Sequence, residues 1–239
     1  MDTKDRRREL RGAVNRADGP AVVGLAHRWL PTDEALQLLG DGLLAALAHQ
    51  VDEAPDLAAE CAGRLRQRGW DGDDELADQL DAACGVAPVP MLRPLPVDLE
   101  ELAMLLEGDD FGGGGRIDRR TGEIWNEAAI EYAEEEGEEL DLDDDDRWLW
   151  VHCEGSSHGY RDMQAFIATL SDPSQADRLE IAIQGKGAFR RFKDVLARWP
   201  DELERWFAYS EERQRGRARA WLTDVGYYAL PRFGSSAGQ

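Results

Sequence analysis

The chain is short of positive charge, cysteine and long apolar runs, and each shortage removes a class of function. Against 49 Asp and Glu it carries 28 Lys and Arg, for a formal net charge of -21. General adhesion to nucleic acid or to an anionic membrane is therefore opposed by like-charge repulsion. Three cysteines (Cys61, Cys84 and Cys153) are widely spaced, odd in number and without a CxxC pair. They read as reduced, buried thiols and not as a disulfide framework. No apolar stretch approaches the ~18 residues that a bilayer crossing needs. Arg6-Arg7-Arg8 is not followed by the apolar region of an export signal, so the expectation is a cytoplasmic protein with no membrane partner. Gly112 to Gly115 lacks the Lys-Ser or Lys-Thr of a phosphate loop and precedes a strand, so it reads as a mobile connector. Asp141, Asp143 and Asp145 alternate as in a calcium loop, but Asp146 stands where glycine is required and His152 where a bidentate glutamate is required.

What is present is enough to fold. Hydrophobic residues make up 42% of the chain and tryptophans number eight, far from a disordered composition. Up to about Gly85 the pattern is a series of helices. Thr32 can cap one that opens with Asp33 and Glu34, and Leu36, Leu39, Leu43, Leu44 and Leu47 fall on its apolar face. Gly40 and Gly42 interrupt that face, which predicts a break or a close helix contact. Leu57, Cys61 and Leu65 form a second stripe stopped by Gly69. Leu76, Leu80 and Ala83 form a third, stopped by Gly85.

From Val86 to Val97 prolines 88, 90, 94 and 96 nearly alternate, which excludes helix and predicts a semi-rigid linker. The alternative is a proline strap across one continuous core. Asp98 to Glu107 reads as a short helix with Leu99, Leu102, Leu105 and Leu106 on its apolar side. Residues 116–125 read as a β-hairpin, with Ile117 opposite Ile124 or Trp125 and Gly122 in the turn. Glu131 to Asp146 then holds eleven acidic residues and no basic one, a solvated acidic arm. Charge is unevenly spread: residues 1–97 sum to -6, residues 98–146 to -17 and residues 147–239 to +2.

An apolar strand at 148–153 should join the hairpin in a small antiparallel sheet. Helices follow, with Tyr160, Met163, Phe166, Ile167 and Leu170 inward on one and Leu179, Ile181, Ala182 and Ile183 apolar on the next. Gly185-Lys186-Gly187-Ala188-Phe189-Arg190-Arg191-Phe192-Lys193-Asp194 opens a further helix. Phe189, Phe192, Leu196 and Trp199 would be its buried stripe and its cations would lie outside. A last long helix, opened by Pro200 and Asp201, carries Arg213, Arg215, Arg217 and Arg219. The fold class is thus α+β, mainly helical. It comprises a helical unit at 1–85, a linker at 86–97, an α+β domain at 98–228 with an acidic insertion at 131–146, and a tail at 229–239.

The Arg116-Ile117-Asp118 to Thr121-Gly122-Glu123 hairpin, Tyr160, Met163 and Phe166, the string Gly185 to Asp194, and Trp221 together carry a resemblance. From about Asp98 to Tyr228 the chain resembles UPF0158, an uncharacterised bacterial family. The resemblance implies a domain boundary, with residues 1–96 as an added helical unit, and implies no activity.

For chemistry, the residues offer few sites. His152, Cys153, Glu154 and His158 cluster, but neighbours on a strand point to opposite faces and cannot both reach one ion unless the strand ends there. Cys153 and a histidine lack an orienting third group for nucleophilic catalysis. No catalytic residue, metal site or cofactor is implied. Lys186, Arg190, Arg191 and Lys193 stand in the first turns of a helix, where the dipole disfavours cations. With the backbone amides there they would suit an anion, unless Asp194, Glu180 or other acids pair them within the fold. The expected function is a non-enzymatic binding or regulatory module. It would bind an acidic protein, nucleic acid or an anion through the basic C-terminal helices, with the acidic arm able to mask that surface. The competing expectation is an enzyme acting on a phosphorylated or anionic small molecule held by Lys186, Arg190 and Arg191, with His152, His158 or Asp118 as acid or base. A purely structural role, the string serving only packing, is the third.

Overall fold

The first five helices of the computed structural model are α1 (Thr3–Asn15), α2 (Gly19–Trp29), α3 (Leu36–Ala48), α4 (Ala54–Arg68) and α5 (Asp73–Ala83). The structure describes residues 3–108, 114–137 and 140–230. Gly112 and Gly113 of the glycine run, Glu138 and Glu139 of the acidic run and tail residues 231–239 lie outside them. The helical unit closes around one core, in which Leu10, Val22, Leu39, Leu43, Cys61, Leu65, Leu76 and Leu80 are buried. α3 runs unbroken through Gly40 and Gly42 because neighbouring helices need that space. A Cβ on Gly40 would lie 2.5 Å from Leu76 Cδ2, and one on Gly42 would lie 2.9 Å from side-chain carbons of Val14 and Val22. Burial pushes the Cys61 thiol up, as a buried structural cysteine requires.

Thr32 does not cap α3. Its hydroxyl donates to the Trp29 carbonyl at 3.0 Å, closing a 3-10 turn at Leu30–Thr32. The residue that flanks α3, Ala35, has no side chain with which to cap it. The orphan amides at that end are satisfied from much further along the chain, as described below.

Within the segment expected to be a linker, Arg93–Leu95 forms strand β1, and Leu95 and Val97 are buried. Val86, Val89 and Met91 before it are exposed. Helix α6 (Leu99–Leu106) follows, capped by Asp98, whose carboxylate accepts from the Glu100 and Glu101 amides at 2.8 and 3.3 Å. Strands β2 (Gly115–Asp118) and β3 (Ile124–Asn126) make the hairpin, with Ile117 opposite Ile124. Helix α7 (Glu127–Glu135) occupies the start of the acidic run, which is thus helical before it becomes irregular. Strand β4 (Trp148–Val151) pairs antiparallel with β2, giving the order β3-β2-β4. β4 stops two residues short of the expected end, leaving His152 and Cys153 beyond the sheet.

The remaining helices are α8 (Ser157–Ile167), α9 (Pro173–Ala182), α10 (Ala188–Leu196) and α11 (Pro200–Asp224). The last strand, β5 (Tyr227–Ala229), pairs parallel with β1, so the strand before α6 and the strand after α11 lie side by side. Ala229, placed in the tail by pattern, is a buried member of this pair. The protein is mainly helical with a small antiparallel three-stranded sheet.

Helix α11 is where the cores meet. Its early residues Leu203, Trp206 and Tyr209 pack with Met163, Phe166, Leu179 and Phe192. Its late residues Ala218 and Leu222 pack with Leu95, Leu102, Ile117 and Val151. Between them, Glu212, Arg215 and Arg219 recur at i, i+3 and i+7 on one face, and that face meets the N-terminal helices. Glu212 accepts from the Gln37 and Leu38 amides at 2.8 and 3.3 Å, supplying the missing cap of α3 from a distant helix. The same carboxylate takes Arg68 at 3.0 Å, and Arg68 also pairs with Asp73 at 2.7 Å. Asp41 sits between Arg215, at 2.8 Å, and Arg219. Arg219, fully buried, also donates to Gln37 Oε1 at 3.0 Å and Gln79 Oε1 at 2.9 Å. On the next face, Arg213 and Arg217 hold the buried Asp162 of α8 at 3.1 and 2.9 Å. The approach of α11 to the N-terminal unit is close enough to require glycine. A Cβ on Gly216 would lie 2.1 Å from the Asp71 carbonyl oxygen.

Candidate functional site

The string Gly185 to Asp194 divides its residues between three tasks. Gly185 and Gly187, at φ of 75° and 76°, turn the chain from α9 into α10. Phe192 is the packing residue: it is buried, with its ring centroid 4.8 Å from Trp206 and 6.3 Å from Phe166, edge to face with both. Phe189, assigned to the same stripe by periodicity, is instead 36% exposed and lies against Gly159 of α8. Four residues of the string, Lys186, Arg190, Arg191 and Lys193, are its cations, and they do not act together.

Arg191 turns back onto the end of α9. Its Nε donates to the Ala182 carbonyl at 3.0 Å and its terminal nitrogens to the carbonyls of Gln184, Gly185 and Lys186. A planar five-donor fork suits several carbonyls at the negative end of a helix. Arg191 is thereby a capping residue, and its geometry answers why a cation stands so early in α10. Arg190 reaches into solvent, 90% exposed, with only a 3.9 Å approach to the exposed Asp194. Lys186 and Lys193 are also exposed, and among the described residues neither forms an ion pair.

Lys193 and Phe189 border a groove of about 630 Å³ between α6, α8, α10 and α11. Its apolar surface comes largely from Met104, Phe189 and Phe207, which are 68, 36 and 46% exposed. Most charges lining it are already compensated. Arg11 pairs with Glu211 and, at 3.6 Å, with Glu100. Arg215 pairs with Asp41 and, at 3.0 Å, with Glu100. Glu107 pairs with Arg217 and accepts from Gln214 at 2.6 Å. Pattern reading missed the groove because its walls come from four helices. Two signals were present. Met104 lies off the leucine stripe of its helix, and adjacent Trp206 and Phe207 stand ~100° apart on theirs, so both cannot face one core.

The other sequence candidates are kept apart. The ring of His152 stacks on Trp150 with centroids 6.3 Å apart. The Cys153 thiol donates to the Gly108 carbonyl at 2.8 Å. His158 lies 3.4 Å from Glu154, one turn away. Among the described residues no group of three or more His, Cys, Asp or Glu converges in a way that could hold a metal. Asp118 is buried beneath the hairpin turn. It accepts from the Arg120 amide and from Arg147 Nε, both at 2.8 Å. Burial alone would raise its carboxyl, but these donors outweigh that and hold it below the usual carboxylate range. An aspartate so engaged is an ionised structural anchor and a poor proton donor.

Residues 141–146 turn back onto the hairpin, where the Leu142 carbonyl accepts from Arg116 at 2.7 Å and the Asp145 carbonyl from Arg119. Trp148 Nε1 adds a bond to the Asp141 carbonyl at 2.8 Å. The Arg116 guanidinium is also stacked over Trp150, 3.9 Å from the ring centre. Among the described residues no ion pair links residues 131–146 to Lys186, Arg190 or Lys193.

With the geometry in place, comparison with known proteins identifies the domain that carries the groove. The family model for the uncharacterised protein family UPF0158 matches residues 91–229. The chain belongs to the UPF0158 family. A UPF0158 protein of Pseudomonas aeruginosa is 29% identical over 136 residues, 56% of this chain and 85% of that relative. No solved structure matches. The UPF0158 span opens just before β1 and closes with β5, so both members of the parallel strand pair lie inside it. Of the groove walls, α6, α8, α10 and α11 are UPF0158 elements, whereas Arg11 on α1 is not. The described residues contain no helix long and apolar enough to cross a membrane.

Proposed function

We propose that this protein is a non-enzymatic binding module in which α10 and the turn before it present Lys186, Arg190 and Lys193 to an acidic partner. The observation that carries the reading is a contrast in use. Four of the five arginines of α11 are engaged by carboxylates of other elements and Arg205 pairs with Glu202 on its own helix, while among the described residues these three cations on and just before α10 have no such partner beyond the distant Asp194. Arg190 in the first turn of α10 and Lys186 just before the helix stand at its positive end, against the dipole, and an anion bound there stabilises them. Lys193, expected in the first turns, lies in the last turn of this short helix and adds its charge from there. The non-enzymatic part rests on how the candidate acids and bases are used: His152 stacks on Trp150, His158 lies against Glu154, and Asp118 is held ionised by the Arg120 amide and Arg147.

The test is a titration of the full chain with labelled poly-glutamate and, separately, a single-stranded oligonucleotide, each at 50 and 200 mM salt. Binding should weaken with salt. It should fall at least tenfold in a Lys186→Ala, Arg190→Ala, Lys193→Ala variant. Absence of binding at the lower salt, or equal binding by the variant, would overturn the reading. Preference for one polymer separates acidic protein from nucleic acid.

A further inference from the structure

We infer that the groove between α6, α8, α10 and α11 receives an acidic amphipathic helix of a partner protein; this rests on the reading of α10 given above. Three observations select that occupant. The first is the exposed apolar surface. Met104, Phe189 and Phe207 are offered by three different helices to one concavity of about 630 Å³. Aromatic anchors and an adaptable methionine are the side chains that protein-binding surfaces favour.

The second is backbone chemistry. The principal walls are helices, whose interior amides and carbonyls are bonded to each other. An extended peptide therefore finds no strand edge to pair with. An occupant must satisfy its own backbone, and a helix does so while laying an apolar stripe into the groove. The third is charge. Arg11, Arg215, Glu100, Glu107 and Glu211 are matched by ion pairs within the fold. The lining carries three cations (Arg11, Lys193 and Arg215) and three carboxylates (Glu100, Glu107 and Glu211) and is neutral as a whole. Lys193, however, lacks such a match among the described residues, so the one uncompensated charge in the groove is its ammonium. One or two carboxylates beside the apolar stripe complement it. A polyanion does not, because its further phosphates would meet Glu100, Glu107 and Glu211.

A display library of helical peptides, selected on the full-length protein, tests the assignment. Enriched sequences should place apolar residues at i, i+3 or i+4, and i+7, with Asp or Glu flanking that stripe. Their affinity should fall at least tenfold in a Met104→Gln, Phe207→Gln variant and severalfold in Lys193→Gln, with circular dichroism unchanged. Both replaced apolar residues are substantially exposed, so the fold should tolerate the exchange. No enrichment, enrichment of basic or strand-like peptides, or affinity indifferent to Met104 and Phe207 would overturn the inference. Concentration-dependent dimerisation abolished by the same double variant would give the groove to a second copy and also overturn it. Poly-glutamate binding kept by the Met104, Phe207 variant, with peptide binding unaffected, sinks only the groove. Poly-glutamate binding indifferent to Lys186, Arg190 and Lys193 sinks the underlying reading.

Discussion

Helices α10 and α11 are both rich in cations, yet they treat them in opposite ways. On α11 the arginines face inward. Arg215 and Arg217 are 8% exposed and Arg219 is fully buried, each held by carboxylates from other elements. On α10 and in the turn before it, Lys186, Arg190 and Lys193 face water, and Arg191 is drawn in. A buried guanidinium needs its planar donors satisfied from several directions, which arginine can arrange and lysine does poorly. The chain holds twenty-five arginines and three lysines, and two of those lysines lie on or beside α10. Basic character in a sequence is therefore two different things here: ion pairs that join α11 to the N-terminal helices and to α6 and α8, and a set of solvent-exposed cations on and beside α10.

The comparison is broken most directly at Glu212. Removing its carboxylate takes one of the two carboxylates from Arg68, which keeps Asp73, and leaves the amides at the start of α3 without a partner, so Glu212→Ala should lose about 2–4 kcal/mol in denaturant unfolding. A loss below ~1 kcal/mol would mean that the α11 network does not hold the two units together. Next in size is Gly216→Ala. On an isolated helix alanine would gain about 1 kcal/mol. Here the added methyl meets the Asp71 carbonyl, and overpacking should reverse the sign to a loss of about 1–3 kcal/mol.

Acid sharpens the contrast. Burial pushes the Asp41 carboxyl up, but Arg219 and Arg215 more than reverse this and hold it below its ordinary value. A carboxylate depressed in the folded state stabilises fully above its unfolded pKa of about 3.9. That contribution is lost as pH falls below this value and through the folded one. Asp41→Asn should be less stable at neutral pH and show a flatter decline below about pH 4, measured by thermal unfolding across a pH series.

Within the basic string, Arg191→Ala should cost about 1 kcal/mol through the lost α9 cap. Arg190→Ala should stay within about 0.5 kcal/mol, as exposed substitutions do. Equal costs would erase the division between capping and presenting residues. The smallest effect concerns the acidic run. Asp143→Asn, Asp145→Asn and Asp146→Asn together should strengthen poly-glutamate binding slightly at low salt. They should leave it unchanged near 0.15 M, where charges beyond about 8 Å are screened. A gain that survives at that salt would instead signal direct masking of α10.

Much of the secondary structure was legible because its causes are local. Asp98 and Asp172 cap the helices that follow them, Gly69 ends α4 in the left-handed conformation, and Ile117 meets Ile124 across a turn containing Gly122. Errors fell where the cause was remote. Thr32 looked like the cap of α3 by its position, but the cap is Glu212, 175 residues away. Phe189 fitted the buried stripe of α10 and Ile181 that of α9, yet Ile181 is exposed and Phe189 is covered only in part, against Gly159 of α8. The groove was not legible, since no single helix contains it.

By itself the sequence determined the mainly helical α+β class, the hairpin and its turn, the family, and the concentration of acid between residues 98 and 146. These follow from periodicity, capping, glycine geometry and charge counts, which act over a few residues at a time. Only the tertiary structure decided which cations are spent and which are free. That depends on whether a carboxylate from another helix arrives within ion-pairing distance, and no local pattern carries that information.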